Sequence, residues 1–232
     1  KRQSAHFSIA RAAVAAGLGT DAVVHIRTDA HGRMDVRELE RMCAEMQADA
    51  AHPQGVPLIV CATSGTTVLG AFDDVAAIAE VCRKYDLWLH VDASWGGAAA
   101  FLPHDAPERS VLAGLENAHS ITINPHKLLG VTHQCSFLLV HDKSVLIPPS
   151  HSDGGYLFHV PAEDALDMAT KTLGCGRRGD ALKFYLVWLR YGTQGLGDHI
   201  AHGLRMAQAL WQRLQLIPSL ELGPVSYTHL TL

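Results

Sequence analysis

The chain has 232 residues, of which 48% are hydrophobic and 18% charged, and its formal net charge at pH 7 is −4. This composition is typical of a folded globular protein with a substantial core and excludes a disordered or fibrous chain. The small negative charge and the absence of a signal peptide or a long apolar run lead us to expect no nucleic-acid or membrane partner.

The first part of the chain is predicted to be mainly helical. We expect an alanine-rich helix at residues 9–16, a strand at 23–26, a turn at 29–33 and an amphipathic helix at 36–50. Asp35 is the predicted N-cap of the second helix, and Glu38, three residues later, predicts a variant of the capping box.

A series of short apolar runs follows and predicts a sheet. The strands are expected at residues 58–62, 88–92, 120–123 and 137–140, with a helix after Asp73 and Asp74 that reaches about residue 85 and a short helix near Val111. Strands that alternate with helices predict an α/β fold with a mainly parallel sheet and helices on both faces.

Two helices are predicted near the C-terminal end. Residues 180–190 are apolar nearly all round, so we expect a buried helix there. The glycines of residues 192–197 predict a break, and residues 198–216 predict a second long helix.

The five cysteines are far apart in sequence, and no two of them form a C-x-x-C pair. They are Cys43, Cys61, Cys82, Cys135 and Cys175. An odd number of cysteines in apolar segments is typical of reduced core thiols, so we expect a cytoplasmic protein. His199 and His202 are spaced for one helix face, but no third ligand lies at a useful spacing, and we predict no metal site.

Three groups of polar residues follow predicted strand ends: the loop at residues 63–70, Asp92 and Lys127. The carboxyl ends of parallel strands meet at one crevice, so these groups are expected to face each other. A desolvated lysine can lose its proton and attack a carbonyl to form an imine. Asp92 is either a turn carboxylate that binds the amides of Ser94 and Trp95 or the partner of a cationic ring nitrogen. Lysine and aspartate together are typical of pyridoxal phosphate chemistry.

Five motifs occur in an order and spacing that resemble a known family. They are Ser-Ala-His-Phe-Ser at 4–8, Ala-Thr-Ser-Gly-Thr-Thr-Val-Leu-Gly-Ala-Phe-Asp at 62–73, His-Val-Asp-Ala-Ser-Trp-Gly-Gly at 90–97, Asn-Pro-His-Lys at 124–127 and Cys-Gly-Arg-Arg at 175–178. Up to about residue 216 the chain resembles the group II pyridoxal-phosphate-dependent amino-acid decarboxylases, and within them the glutamate and cysteine-sulfinate branch.

The resemblance implies the fold and a role for each matching residue. The fold would be the large domain of the aspartate-aminotransferase-like (fold type I) architecture. Lys127 would condense with the aldehyde of pyridoxal 5′-phosphate, Asp92 would pair with the pyridine nitrogen, and His6 would stack on the ring and help to orient the substrate or transfer a proton. Thr67, Ser120 and His126 would donate to the phosphate or the ring hydroxyl. Ser94 stands where the family usually has a small apolar residue.

The resemblance also implies how the chain is divided. We expect residues 1–195 to be the cofactor-binding large domain, with its N-terminal part missing, and residues 196–232 to be a linking helix and the start of a truncated small domain. Residues 225–232 alternate like a strand but also resemble translated sequencing-adapter read-through, so they are either a native strand or non-native sequence.

The implied activity is decarboxylation of an L-amino acid, most readily an acidic one, by a homodimer with a shared active site. In this branch a tyrosine before the Cys-Gly-Arg motif often protonates Cα, but Leu166 occupies that place, and no tyrosine lies between Tyr156 and Tyr185. Two alternatives stay open. The protein is a same-fold enzyme of another class (aminotransferase, aldehyde synthase or carbon–carbon lyase), or it is a non-catalytic fragment.

Overall fold

The computed structural model describes residues 5–49, 55–146, 176 and 178–220. Its helices and strands, in chain order, are α1 (Ser8–Ala15), α2 (Val36–Ala48), β1 (Ile59–Thr63), α3 (Val75–Lys84), β2 (Trp88–Asp92), β3 (Ser120–Ile123), β4 (Phe137–Val140) and α4 (Asp180–Leu214). Short 3₁₀ turns connect several of these elements. The predictions for Tyr156, Leu166, Cys175, Arg177 and residues 225–232 lie outside the described residues.

The four strands form one sheet in the order β1-β2-β3-β4. The first three strands are parallel, and β4 is antiparallel to β3. The register places Thr63, Asp92 and Thr122 side by side, so the carboxyl ends of the three parallel strands are level. The predicted α/β fold with a mainly parallel sheet is confirmed.

One face of the sheet packs against α2 and α3. Apolar side chains of alternate strand positions, such as Val60, Leu89 and Val91, enter a core with Ile78 and Cys82 of α3. Side chains alternate along a strand, so Cys61, His90 and Ser120 belong to the opposite face. That face is partly exposed within the described residues, and the helices predicted to cover it remain a prediction.

The predicted strand at residues 23–26 is wrong. These residues have no ladder partner in the described part of the chain, although three of the four are β-branched, and the nearest pairing is an isolated bridge between Thr28 and Met34. The predicted turn between them is present, because the Asp29 carboxylate accepts from the N–H groups of His31 and Arg33 at 2.8 and 2.9 Å.

The N-terminus of α2 is capped by Asp35 as predicted, since its side chain accepts from the N–H groups of Arg37 and Glu38. The reciprocal half of the capping box is absent. The Asp35 N–H donates to the carbonyl of Arg27 at 2.9 Å, which leaves Glu38 to pair with Arg41 at 2.9 Å. A tertiary hydrogen bond has replaced the local one.

The C-terminal helix differs from its prediction in two ways. The expected break is confined to Gly192, with φ 66° and ψ 176°, and α4 continues through the other glycines. Gly197 serves close packing instead, because a Cβ atom there would lie 2.3 Å from the carbonyl oxygen of Phe101. The first half of α4 is also not buried all round: Phe184 packs in a second core cluster, whereas Leu182 is 59% and Leu189 70% exposed.

Candidate active site

A cavity of about 270 Å³ opens at the carboxyl ends of the three parallel strands. Its lining residues come from the start of α1, from β1 and the loop after it, from the ends of β2 and β3, and from the approach to β4: His6, Ser8, Thr63, Gly65, Thr67, Asp92, Ser94, Thr122, Asn124, Lys127 and Ser136. The structure therefore brings together His6, Thr67, Asp92 and Lys127, four of the six residues predicted for this site.

Asp92 is the last residue of β2, and the register places it between Thr63 and Thr122. Its Oδ1 atom accepts from the N–H of Ser94 at 3.1 Å. The two interpretations of Asp92 are thus compatible, because the same carboxylate closes the turn after β2 and lines the cavity.

Lys127 lies in the turn that follows β3. Its N–H donates to the carbonyl of Asn124 at 2.9 Å, and its own carbonyl accepts from Gly130 at 3.1 Å. The Asn124 N–H in turn donates to the carbonyl of Ser94 at 3.3 Å. The loop that carries Lys127 is therefore joined directly to the loop that follows Asp92, and the half-buried lysine side chain reaches the cavity.

His6 precedes α1 and is held by Ser8. The Nδ1 atom of His6 lies 2.8 Å from Ser8 Oγ and accepts from the Ser8 N–H at 3.3 Å. Since Nδ1 accepts, the neutral ring carries its proton on Nε2. The ring contacts that of Phe7, with 4.2 Å between the centroids. The helix start thus orients a flat imidazole at the cavity.

The loop that carries Thr67 is stabilised at both ends. Thr66 Oγ1 accepts from the N–H of Ala71 at 2.9 Å. Gly65 has φ 90°, and a Cβ atom there would lie 3.0 Å from the Gly96 nitrogen, so this position requires glycine. The buried Asp73 accepts from the N–H of Thr63 at 2.8 Å; burial raises the pKa of its carboxyl, while N–H donors, including that of Thr63, lower it.

Ser120 and His126 are not among the residues that line the cavity, and their role as phosphate or ring-hydroxyl donors stays a prediction. Ser120 is the first residue of β3, at the opposite end of that strand, and its hydroxyl is bound to Trp88 Nε1 at 2.9 Å and to His90 Nδ1 at 2.8 Å. His126 turns its Nδ1 toward the backbone of Cys135, at 2.6 Å from the carbonyl and 3.0 Å from the N–H.

Several lining residues were missed by sequence reasoning, chiefly Asn124, Thr122 and Ser136. A signal for Thr122 was available, because alternation along β3 places it on the face of Ser120 and at the far end of the strand. Ser136 could be found only from the antiparallel direction of β4, which brings the start of β4 to the end of β3.

The lining suits pyridoxal phosphate in its chemistry. An ammonium group, a carboxylate, an imidazole and several hydroxyls surround the cavity, and its volume lies near the lower end of the range for small-molecule sites. The Oδ1 atom of Asn124 is buried without a hydrogen-bond partner in the described part of the chain. A buried polar atom is costly when unpaired, so this oxygen requires a hydrogen-bond donor that the described residues do not supply.

The described residues contain neither a candidate metal site nor a candidate membrane-spanning helix. No group of three or more metal-ligating side chains is close enough to hold an ion there. None of the helices in those ranges combines the length and apolar character needed to cross a bilayer.

Comparison with known proteins places this site in a family context. The family model described as the pyridoxal-dependent decarboxylase conserved domain matches residues 2–224. The chain is 43% identical over 218 residues to L-aspartate decarboxylase dtxS4 of Metarhizium robertsii, covering 94% of this chain and 42% of that protein. It is 43% identical over 220 residues to human cysteine sulfinic acid decarboxylase, covering 94% of this chain and 43% of the relative.

Solved structures show the same relationship. The crystal structure of mouse CSAD superposes with a TM-score of 0.82 at 40% identity, over 94% of this chain and 44% of that one. The structure of Oryza sativa TDC with PLP superposes with a TM-score of 0.80 at 30% identity, over 97% of this chain and 43% of that one. The chain thus spans less than half the length of these relatives. The predicted resemblance and the fold it implied are confirmed.

Proposed function

Because this chain belongs to the pyridoxal-dependent decarboxylase family, we propose that the complete protein removes the α-carboxylate of an L-amino acid and releases carbon dioxide and an amine. The observation that carries the proposal is that Lys127 and Asp92 line one cavity at the carboxyl ends of β2 and β3. The predicted cofactor, pyridoxal phosphate, agrees with the family and with the chemistry of the lining.

Asp92 and Lys127 would have different roles toward the cofactor. Pyridoxal phosphate, when bound, supplies an electron-withdrawing ring that accepts the electron pair left by the departing carboxylate. The Asp92 carboxylate would keep the ring nitrogen protonated, because an adjacent anion favours the charged form of that nitrogen. Lys127 would hold the cofactor covalently through Nζ and give it up to the substrate amine.

His6 and Asn124 would position the other groups. The Nε2–H of His6 is free to donate because Nδ1 is already occupied by Ser8, so His6 can hold a substrate carboxylate beside the ring. Asn124 presents an amide whose oxygen has no partner among the described residues, together with two N–H donors suited to a phosphate or a ring hydroxyl. Thr67, at the edge of the same cavity, adds a hydroxyl.

We propose an acidic substrate: aspartate, cysteine sulfinate or glutamate. The support comes from two relatives that are 43% identical and are described as decarboxylases of aspartate and of cysteine sulfinic acid. A second anionic group on the substrate requires a cationic or N–H-rich partner, and such a partner is to be sought outside the described residues or on a second subunit.

We further propose a homodimer with a shared active site, located in the cytoplasm. The dimer would cover the apolar side chains that α4 exposes, including Leu186 and Leu189. A reducing compartment fits the buried free thiols Cys43, Cys82 and Cys135, which sit in apolar cores. The division into a large domain at residues 1–195 and a following segment at 196–232 remains part of the proposal.

The test is to express the complete protein with pyridoxal phosphate and to measure carbon dioxide release from aspartate, cysteine sulfinate and glutamate. Aromatic amino acids serve as the comparison set. Release from the acidic set only is expected, and activity confined to aromatic substrates would show that the substrate proposal is wrong. Borohydride reduction followed by peptide mapping should place the cofactor on Lys127, and Lys127→Ala should abolish both the label and the activity. Lys84→Ala, an exposed lysine paired with Glu40, is the matched control.

The product distinguishes the alternative enzyme classes. One structural neighbour, Rhodiola rosea 4-hydroxyphenylacetaldehyde synthase, superposes with a TM-score of 0.77 at 28% identity. An aldehyde with ammonia in place of an amine would assign this protein to that class. Decarboxylation in heavy water tests whether Cα is protonated, as an amine product requires, and the amine should then carry one deuterium at Cα. The proton donor itself is open, since Leu166 stands where a tyrosine is often found.

A further inference from the structure

A row of hydrogen bonds runs across β2 and β3 toward the cavity. Trp88 Nε1 donates to Ser120 Oγ at 2.9 Å, Ser120 Oγ lies 2.8 Å from His90 Nδ1, and His90 Nε2 lies 3.4 Å from Thr122 Oγ1. Thr122 lines the cavity beside Asp92, its register partner on β2. None of the other three residues lines the cavity itself.

The direction of this row follows from its first member. An indole N–H can only donate, so Ser120 Oγ accepts from Trp88 and keeps its own proton for another acceptor. Within the described residues, the remaining contact of that hydroxyl is His90 Nδ1. Ser120 therefore donates to Nδ1, and the neutral imidazole carries its proton on Nε2. The opposite tautomer would leave the Ser120 proton without an acceptor in a residue that is 6% exposed.

The Nε2–H then donates to Thr122. A threonine hydroxyl that accepts from His90 has its own proton free for a different acceptor. The described residues offer the Thr122 hydroxyl no second hydrogen bond, and Thr122 lines the cavity. The proton of Thr122 is thus available to a ligand or to a carboxylate that a ligand brings into place.

The surroundings of His90 keep its ring neutral. Burial lowers the pKa of His90, and the nearby negative charge of Asp92 opposes this in part. The groups that face His90 are Asp92 on its own strand, Cys61 at the paired position of β1, and Ser120 and Thr122 of β3. Burial also raises the pKa of the Cys61 thiol to about 11, so Cys61 adds no charge at neutral pH.

We infer that His90 is a positioning residue: through its Nε2–H it orients Thr122 so that the threonine hydroxyl donates to an acceptor in the cavity beside Asp92. Thr122 is then a ligand-binding residue of the site, and Ser120, which was predicted to bind the cofactor directly, acts at the other end of the same row. The inference that the Thr122 hydroxyl binds the cofactor or substrate rests on the proposed function. The inference that His90 is neutral and carries its proton on Nε2 does not.

The state of His90 can be measured without cofactor or substrate. The complete apo protein would be labelled with ¹³C,¹⁵N-histidine, and the Cδ2 and nitrogen chemical shifts of His90 report its tautomer at neutral pH. His90→Gln identifies the signal by its loss. We expect the Nε2–H tautomer in the wild type and a mixture of tautomers in Trp88→Phe and Ser120→Ala. An Nδ1–H tautomer or an imidazolium in the wild type would overturn the inference.

Cofactor binding provides the second readout. Glutamine can place an N–H donor near the position of Nε2, whereas leucine cannot, so His90→Gln is the conservative variant. We expect His90→Leu and Thr122→Val to weaken pyridoxal phosphate binding about five- to tenfold, as the loss of one hydrogen bond implies, and His90→Gln to restore most of it.

The two failures are distinguishable. A wild type that does not bind pyridoxal phosphate refutes the proposed function and leaves the tautomer result standing. A wild type that binds it normally, with His90→Leu unchanged in affinity or with His90→Gln as weak as His90→Leu, refutes the role of His90 alone. Circular dichroism of each variant confirms that the comparison is made between folded proteins.

Discussion

Asp73 Oδ2 accepts from the backbone N–H of Thr63 at 2.8 Å, and its Oδ1 accepts from the N–H of Met34 at 2.6 Å. One buried carboxylate therefore joins the end of β1 to the turn before α2. Both carboxylate oxygens accept from N–H donors, so the side chain at position 73 must offer two acceptor atoms. The loop between Thr63 and Asp73, which carries Thr67, depends on these two hydrogen bonds for its position.

Replacing Asp73 by asparagine should destabilise the protein by about 1–3 kcal/mol, because the amide NH₂ would face one of the two backbone N–H donors and leave it unsatisfied. Urea unfolding of the complete protein measures the change. Asp74→Asn is the matched control. Asp74 is an exposed N-cap that accepts from Ala77 at 3.0 Å, and asparagine caps a helix about as well as aspartate. Equal losses for the two variants would contradict the role given to Asp73.

Replacing Asp92 by asparagine should lower kcat by about 10²-fold or more, since the proposed function assigns to this carboxylate the charge that keeps the ring nitrogen protonated. Lys127 is unchanged in this variant, so covalent attachment of the cofactor should persist. Steady-state carbon dioxide release and borohydride labelling, measured on the same preparation, separate the two effects. An Asp92→Asn enzyme with full activity would show that the carboxylate acts only as a turn residue through its bond to Ser94.

The stability of the protein should fall as the pH decreases through the ordinary range of histidine, about 6.5. Burial lowers the pKa of His90 in the folded state, so the unfolded chain takes up a proton before the folded protein does. The unfolded state then binds more protons, and the free energy of unfolding decreases by at most about 1.4 kcal/mol per pH unit from this group.

The measurement is denaturant unfolding between pH 5 and 8, roughly the range in which histidine titrates. His90→Gln should have a flatter profile on the acid side than the wild type. His199→Gln provides a control, as a histidine of α4 outside the sheet. A wild type and a His90→Gln variant with parallel profiles would argue that His90 is not held neutral by burial.

Replacing Gly197 by alanine should cost about 1–3 kcal/mol, because the new Cβ would lie 2.3 Å from the carbonyl oxygen of Phe101 and force α4 away from its neighbour. Gly179→Ala is the matched control, since a Cβ there meets nothing within 4 Å. Thermal unfolding of the two variants gives the comparison. If both change stability by the same amount, the contact between α4 and the Phe101 turn is not tight.

The sequence by itself determined the parts of the fold that follow from short-range patterns. The apolar runs of β1, β2 and β3 and the turn residues behind them were sufficient to predict parallel strands. Parallel strands end at the same edge, so Asp92 and Lys127 were expected to share a crevice, and the structure places both at one cavity. The N-cap Asp35 was likewise readable, because a cap is a local interaction.

The tertiary structure alone decided which way the remaining polar groups turn. Ser120 is engaged by Trp88 and His90, and Glu38 loses its capping partner because the Asp35 N–H bonds to Arg27, a residue of the segment before the turn. The burial of α4 also depends on the segments packed against it. Within the described residues, Phe184 packs against the second core cluster, whereas Leu189 is exposed. Hydrogen-bond partners and burial are set by chain segments far apart in sequence, and no local pattern records which segments meet.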